Sequence, residues 1–229
     1  MKVYGCAIST STQRILACLY EKQLDFEFVA VDIEVAGPAS NNNDTFLSLK
    51  PFRCLPILQD DDINMFGSRA ISNYLFNCYG NRMDVEIKKK KMATELTWLE
   101  MESKSFDPPA SSLIFHTFYK PMLRMIVPNK SVVLGLESSL SKVLDVYDAQ
   151  LAHCTYLTGD EFSLVDINHL PILHLIMACN AKNLVQCRPN VFRWALLILA
   201  RPCWVKVLEA IDNGITHNYS FLLSIFNQN

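Results

Sequence analysis

The sequence predicts an α+β chain in two domains, a mixed strand-and-helix unit followed by a unit built only of helices. Three observations predict it. Residues 1–80 carry strand-like and helical apolar spacing in the order strand, helix, strand, hairpin, helix. The stretch Gly80-Asn-Arg-Met-Asp-Val-Glu86 interrupts two helical patterns and serves as a linker. Beyond it no strand-like alternation of any length occurs. The boundaries that follow are 1–80, a linker at 81–90, and 91–229, and 229 residues suffice to bury two cores that pack together.

Lys2–Gly5 is the first strand. From Ser11 to Lys22 the apolar residues Ile15, Leu16, Leu19 and Tyr20 share one helical face, which turns Gln13 and Arg14 elsewhere. Phe26–Val31 is the next strand, and Glu34–Asp44, rich in Asn, Ser, Gly and Pro, is a loop. Asp60-Asp61-Asp62 is a turn joining two short strands, Pro56–Leu58 and Ile63–Phe66. A proline at 56 removes a backbone donor and makes a cis peptide accessible, which leaves the Leu55 backbone to pair with a ligand. Gly67-Ser68 then precedes a helical pattern from Arg69 to Phe76, with Ser68 as a natural N-cap. Backbone N–H groups and a hydroxyl at such a helix start bind a carboxylate. The order is the thioredoxin-like βαβ-ββα arrangement.

In the second part, a helix around Trp98 is expected to end at Phe106-Asp-Pro-Pro, since proline stops what precedes it. A further helix runs from Ala110 to Tyr119, up to Pro121. Leu134–Leu151 presents Leu140, Val143, Leu144, Val146, Tyr147 and Leu151 as an amphipathic face. Ser163 with Asp166 three residues on forms a capping-box variant, a structural role. His169 and His174, on an apolar helix, fit hydrogen-bonded core histidines.

Composition narrows the function classes. With 19% charged residues and a formal net charge of −2, nucleic acid and anionic membrane surfaces are not expected partners. The basic run Lys88–Lys91 fits a solvated helix face. Eight cysteines, at 6, 18, 54, 78, 154, 179, 187 and 203, show no CxxC pair and no zinc spacing, so reduced core thiols and no metal are expected. No stretch approaches a membrane span or a signal peptide, so a soluble cytosolic protein is expected.

The motifs carry a resemblance. KPFRCLP, DDD and MFGSRAI resemble the NPFG-x-VP, DGD and LFESRAI patterns of the phi-class glutathione transferases of plants. The C-terminal stretches KVLDVYDAQL, YLTGDEFSLVDINHLP and RPNVFRWALLILARPCWVKVL are similar to the same family, so the likeness covers nearly the whole chain. The resemblance implies a glutathione-transferase fold, glutathione as co-substrate and a homodimer. In the pattern KVYG-x-x-x-S the family's serine falls on Ser9, with Arg14 on its arginine, and Ser9 would donate a hydrogen bond to the glutathione sulfur. A hydroxyl and a helix N-terminus both favour thiolate; lowering a thiol pKa from about 8.5 by roughly two units is worth about 2.7 kcal/mol. Read from the residues alone, Ser9, Thr10, Ser11 and Thr12 also fit helix-cap and turn positions; with Ser9 given to the sulfur by the resemblance, Ser11 or Thr12 is the cap.

By the same resemblance Asn41, Asn42, Cys54, Leu55, Pro56, Gly67, Ser68 and Arg69 hold glutathione, Leu55 through its backbone and Ser68 on the γ-glutamyl carboxylate. Ile8, Thr10, Phe115, His116 and Tyr119 meet a small apolar electrophile, with His116 and Tyr119 in reach for acid–base work. Three positions depart from the pattern. Gly67 stands where a glutamate accepts from the α-amino group, Asn41 and Asn42 where His-Lys grips the glycyl carboxylate, and Arg53 at the glycine of NPFG. Losing a charged hydrogen bond costs about 1.5–3 kcal/mol, so the first two losses together weaken glutathione on the order of 100-fold. Arg53 either restores a cation or blocks the ligand. Two functions fit: a transferase with a weakened glutathione site, or a glutathione-independent or ligandin-type member that binds, carries, isomerises or cyclises an apolar plant metabolite.

Overall fold

The computed structural model of the protein describes residues 1–31, 55–79, 85–122 and 129–212. They group into two compact units, one formed by Met1–Asn81 with Pro202–Asn229 and the other by Arg82–Arg201. The first contains β1 (Lys2–Gly5), α1 (Thr10–Glu21), β2 (Glu27–Ala30), β3 (Ile57–Asp60), β4 (Ile63–Phe66) and α2 (Ser68–Cys78). The sheet order is β2-β1-β3-β4, with β1 parallel to β2 and the other pairs antiparallel. This is the thioredoxin-like βαβ-ββα order, and the mixed sheet followed by helices matches the expected fold class.

Register decides where chemistry can sit. Tyr4 lies opposite Ile57, and Ile57 opposite Phe66. The carboxyl end of β1, the start of β3 and the carboxyl end of β4 therefore meet at one end of the sheet. At the other end a two-residue turn, Asp61-Asp62, closes the hairpin, with Asp61 at φ 51°, a conformation Asp tolerates. Asp60 is not part of that turn. It is the last residue of β3, buried, and accepts from the Tyr74 hydroxyl at 2.8 Å and from the Tyr79 hydroxyl, tying α2 to the sheet.

Helix α1 buries more than its apolar stripe. Ile15, Leu16 and Leu19 are inside as expected, but so are Gln13 and Arg14, which the apolar spacing had turned elsewhere. Both find hydrogen bonds there, which is what allows polar side chains inside. Close approach also fixes Gly5: a Cβ added there would lie 2.7 Å from both Cγ2 and Oγ1 of the buried, χ1-restricted Thr12. Gly5→Ala is expected to cost about 1–3 kcal/mol in urea unfolding. Adding Thr12→Ala, which removes both close atoms, should return part of that loss; a double variant as unstable as the single one would refute the steric cause.

The second unit contains α3 (Val85–Met101), a π-helical turn at Glu102–Phe106, α4 (Asp107–Ile114), a second π-helical turn at Phe115–Tyr119, α5 (Lys120–Met122), α6 (Lys130–Leu151), α7 (Leu164–Ala178), α8 (Lys182–Gln186) and α9 (Pro189–Leu199). The expected stop at Phe106-Asp-Pro-Pro does not occur: Phe106 and Asp107 keep right-handed helical dihedrals and the chain runs on into α4. Pro108 and Pro109 would clash with the carbonyls of Lys104 and Ser105, four residues back, and both belong to the wider π turn, which makes the room. The second π turn holds the same position before Pro121.

On α6 the buried positions are Leu140, Leu144, Tyr147 and Leu151, whereas Val146, read as part of that face, is exposed. Against Tyr147 pack Phe106, His169 and Trp194. His169 Nδ1 donates to the Val165 carbonyl at 2.7 Å and its Nε2 lies in hydrogen-bond reach of the Tyr147 hydroxyl at 3.0 Å, a hydrogen-bonded core histidine. The capping box is present: Asp166 accepts from both the Ser163 N–H and the Ser163 hydroxyl at 2.9 Å. Lys89 and Lys90 are exposed and Lys91 pairs with Glu161 at 2.7 Å, a solvated face. Of the described cysteines, all free thiols, only Cys6, Cys18 and Cys203 are buried; Cys78 and Cys187 are exposed, so the expectation of core thiols fails for them.

His174, largely buried, is held neutral, with its pKa pushed down to about 4 by desolvation. A folded-state value below the unfolded one gives stability that is complete above pH 6.5 and lost as pH falls toward 4. The loss attributable to this group approaches roughly 3 kcal/mol. His174→Gln should flatten stability measured by urea unfolding over that window; an unchanged slope would refute it.

The last helix, α10 (Pro202–Asp212), packs against α1 and belongs with the first unit, although the sequence division carried the helical domain to residue 229. Apolar spacing shows that a helix has a buried face, not which unit buries it. Among the described residues no helix is long and apolar enough to cross a membrane, and no group of three His, Cys, Asp or Glu side chains could hold a metal ion.

Candidate functional site

Three segments of the first unit converge on the shared sheet end. The first is the turn from β1 into α1. Ser9, not Ser11 or Thr12, is the N-cap residue of α1, with extended backbone (φ −75°, ψ 124°), and its hydroxyl makes no capping bond. The turn is closed by the backbone bond from Ser9 N–H to the Cys6 carbonyl at 2.9 Å, and by Gln13 Nε2 donating to the Ala7 carbonyl at 3.0 Å. Gln13 therefore fixes the loop that carries Ile8 and Ser9. No acidic side chain lies in the first turn of α1, so the positive end of the helix dipole is not neutralised from within. Ile8, Ser9 and Thr10 are each partly exposed.

The second segment is Leu55-Pro56, joined by a cis peptide bond, with Pro56 buried and Leu55 partly exposed, directly before β3. The third is the start of α2. Its N-cap is Gly67 at φ 84°, ψ 111°, so Ser68 is the first helical residue and not the cap. The cap rule favours a hydroxyl, but the chain enters α2 through a positive φ that glycine adopts without strain. Ser68 is buried, and Arg14 Nη1, itself 2% exposed, donates to its hydroxyl oxygen at 2.7 Å. Arg69 is partly exposed. Beneath this pair Cys18 is fully buried, and desolvation pushes its thiol up to about 12, which leaves it inert as a nucleophile.

The role of Gln13 escaped the sequence reading, which set Arg14 on the family's arginine without foreseeing its burial, because a polar residue off the apolar stripe looks solvated. The signal was their place within the first two turns after Ser9. Asn41, Asn42 and Cys54, together with Arg53, lie outside the described residues. The residues expected to meet an electrophile fall in both units: Ile8 and Thr10 in the first, Phe115, His116 and Tyr119 on the second π turn in the other. Within that turn Phe115 is exposed and stands edge-on to His116 at 5.8 Å, and Tyr119 is edge-on to Phe118 at 5.3 Å. His116 Nδ1 is shielded from solvent without a hydrogen-bond partner among the described residues.

A thioredoxin-like unit with a serine hydroxyl at the first helix N-terminus, a cis-proline and a buried hydroxyl at the next helix start is thus followed by a helical unit. The comparisons take this further. Residues 3–83 match the glutathione S-transferase N-terminal domain and residues 110–202 the glutathione S-transferase C-terminal domain. Glutathione S-transferase PARB of Nicotiana tabacum is 41% identical over 93% of this chain and 99% of its own. The crystal structure of glutathione transferase F7 from Populus trichocarpa superposes with a TM-score of 0.83 at 36% identity, over 92% of this chain and 98% of that one. Glutathione S-transferase I from maize, solved with an atrazine glutathione conjugate, gives 0.81 at 30% identity, over 90% and 95%. The chain belongs to the glutathione S-transferase family, in its plant phi class. Glutathione transferase activity comes with that membership, and the homologues of the family use glutathione as co-substrate.

Proposed function

We propose that this transferase conjugates glutathione to small apolar electrophiles through a weakened glutathione site that keeps its sulfur, Leu55 backbone and γ-glutamyl carboxylate contacts. The observation that carries the proposal is the Ser9 hydroxyl: at the N-cap of α1, unspent on capping, at the sheet end that also holds cis-Pro56 and Ser68. Such a hydroxyl donates to a sulfur and favours its anion, and the helix end adds a potential of the same sense. No general base is required, because the thiol need only ionise. Leu55 and Ser68 hold the peptide, and Ile8 and Thr10, on either side of Ser9, are assigned to the electrophile. Exposed Ile63 and Phe66 on the edge strand β4 support a homodimer, which sedimentation of the purified chain tests.

Gly67 favours a second reading, a member that binds or rearranges an apolar metabolite without glutathione, since the carboxylate of the family pattern is missing there. Calorimetric titration with glutathione separates the two. Submillimolar binding with turnover of a generic electrophile supports conjugation; no heat up to several millimolar supports the second reading. Restoring Glu at 67 discriminates further, but at φ 84° any L side chain carries strain of about 1–3 kcal/mol, although nothing lies within 4 Å of the added Cβ. Conjugation rate and stability must therefore be measured together on that variant.

A further inference from the structure

Helix α9 is apolar on more faces than the second unit covers. Val191, Trp194, Ala195 and Ile198 are buried, yet Leu196 is 52% and Leu197 38% exposed. Positions 189, 193 and 196 follow one another at helical spacing and share a side of the helix. That side forms a wall of an open groove of about 800 Å³, lined by Gln186, Pro189, Phe192, Arg193, Leu196 and Leu197. None of these is acidic, so Arg193 supplies the groove's charge. Its Nη2 donates to the Leu151 carbonyl at 2.9 Å and to the Cys154 carbonyl at 3.1 Å, and among the described residues no carboxylate pairs with it. Two main-chain carbonyls therefore hold the guanidinium in place, while its Nε and Nη1 keep their donors. A cation fixed in advance loses little freedom on meeting an anion. An apolar volume of this size with one convergent polar group has the make-up of a small-molecule site.

We propose that the groove on α9 binds a small apolar carboxylate, with its hydrocarbon body against Phe192, Leu196 and Leu197 and its charge on Arg193. The site lies within the second unit and uses none of the residues assigned to glutathione or to the electrophile. Charge selects this occupant. A neutral hydrocarbon would cover Arg193 without pairing it, and a second copy docked here about a two-fold axis would bring two Arg193 side chains together.

Two probes separate charge from apolarity: 4-phenylbutyrate and its neutral counterpart 4-phenylbutyramide, each titrated by calorimetry into the whole chain. The acid is expected to bind with a submillimolar Kd, and the amide at least about fivefold more weakly. Arg193 also ties α9 to the end of α6, so substitution at the exposed Leu196 tests the groove without disturbing that tie. Leu196→Glu should raise the Kd of the acid about tenfold or more, and Leu196→Lys by no more than about threefold. Both remove the same apolar contact and differ only in the sign of the charge they add. No binding of the acid up to several millimolar, equal Kd values for acid and amide, or an unaltered Kd in Leu196→Glu would each overturn the proposal. The last result would place the acid elsewhere on the chain. A smaller sedimentation coefficient for Leu196→Glu, with an unchanged circular dichroism spectrum, would show that a second copy covers the groove and would overturn it as well.

Discussion

Ser9→Ala is expected to lower the conjugation rate at pH 7 by about 20–30-fold through ionisation alone, as the thiol of bound glutathione returns from a pKa near 6.5 to about 8.5. The deficit should shrink steadily with pH and nearly vanish above about pH 9.5, where a thiol ionises without help. Affinity for glutathione at pH 7 should fall about fourfold, the share linked to the lost ionisation, and no further, because Pro56 and Ser68 are untouched. Removal of a merely structural cap would instead lower stability with a rate deficit independent of pH. The Ser9 hydroxyl makes no capping bond, which is why the pH-dependent outcome is expected. A flat deficit, or none, would refute the assignment of Ser9 to the sulfur.

Asp166→Ala is expected to destabilise the chain by about 3–5 kcal/mol. The carboxylate is fully buried and accepts from the Ser163 N–H and hydroxyl at 2.9 Å, the Trp194 indole at 2.9 Å and the Leu157 N–H at 3.4 Å. Burial pushes its pKa up while these donors oppose the shift. Removing the carboxylate leaves several buried donors without an acceptor, each costing about 1–3 kcal/mol. Asp166→Asn keeps one acceptor oxygen and should lose less. Urea unfolding of both variants checks the order; equal losses, or a loss below about 1 kcal/mol for Ala, would contradict it. Neither substitution touches the glutathione site, so folded Asp166→Asn should bind glutathione as the unsubstituted chain does.

The strands, α1 and the hairpin were legible because period and turn chemistry are local properties. Lys2–Gly5 is copied residue for residue in β1, and the Ser163–Asp166 box is written in its spacing. What the sequence hid was set by partners. Gln13 and Arg14 look like surface residues until Ala7 and Ser68 are seen to accept from them. Ser68 satisfies the cap rule, yet the positive φ of Gly67 moves the cap back by one residue. Pro108 and Pro109 signal a helix end because sequence rules assume α geometry, and one π turn suspends the clash. On the site itself, motif resemblance located Ser9, Pro56 and Ser68, whereas the buried cation behind Ser68 needed three dimensions.

The attachment of α10 to α1 sets a schedule for synthesis. The first unit is begun by Met1–Asn81 and completed by a segment that starts at Pro202, after the intervening unit at Arg82–Arg201 has been made. At about 5–20 residues per second, that interval is on the order of 10 s. For that time α1, the helix that bears Ser9 and Arg14, lacks the contacts that α10 makes with it.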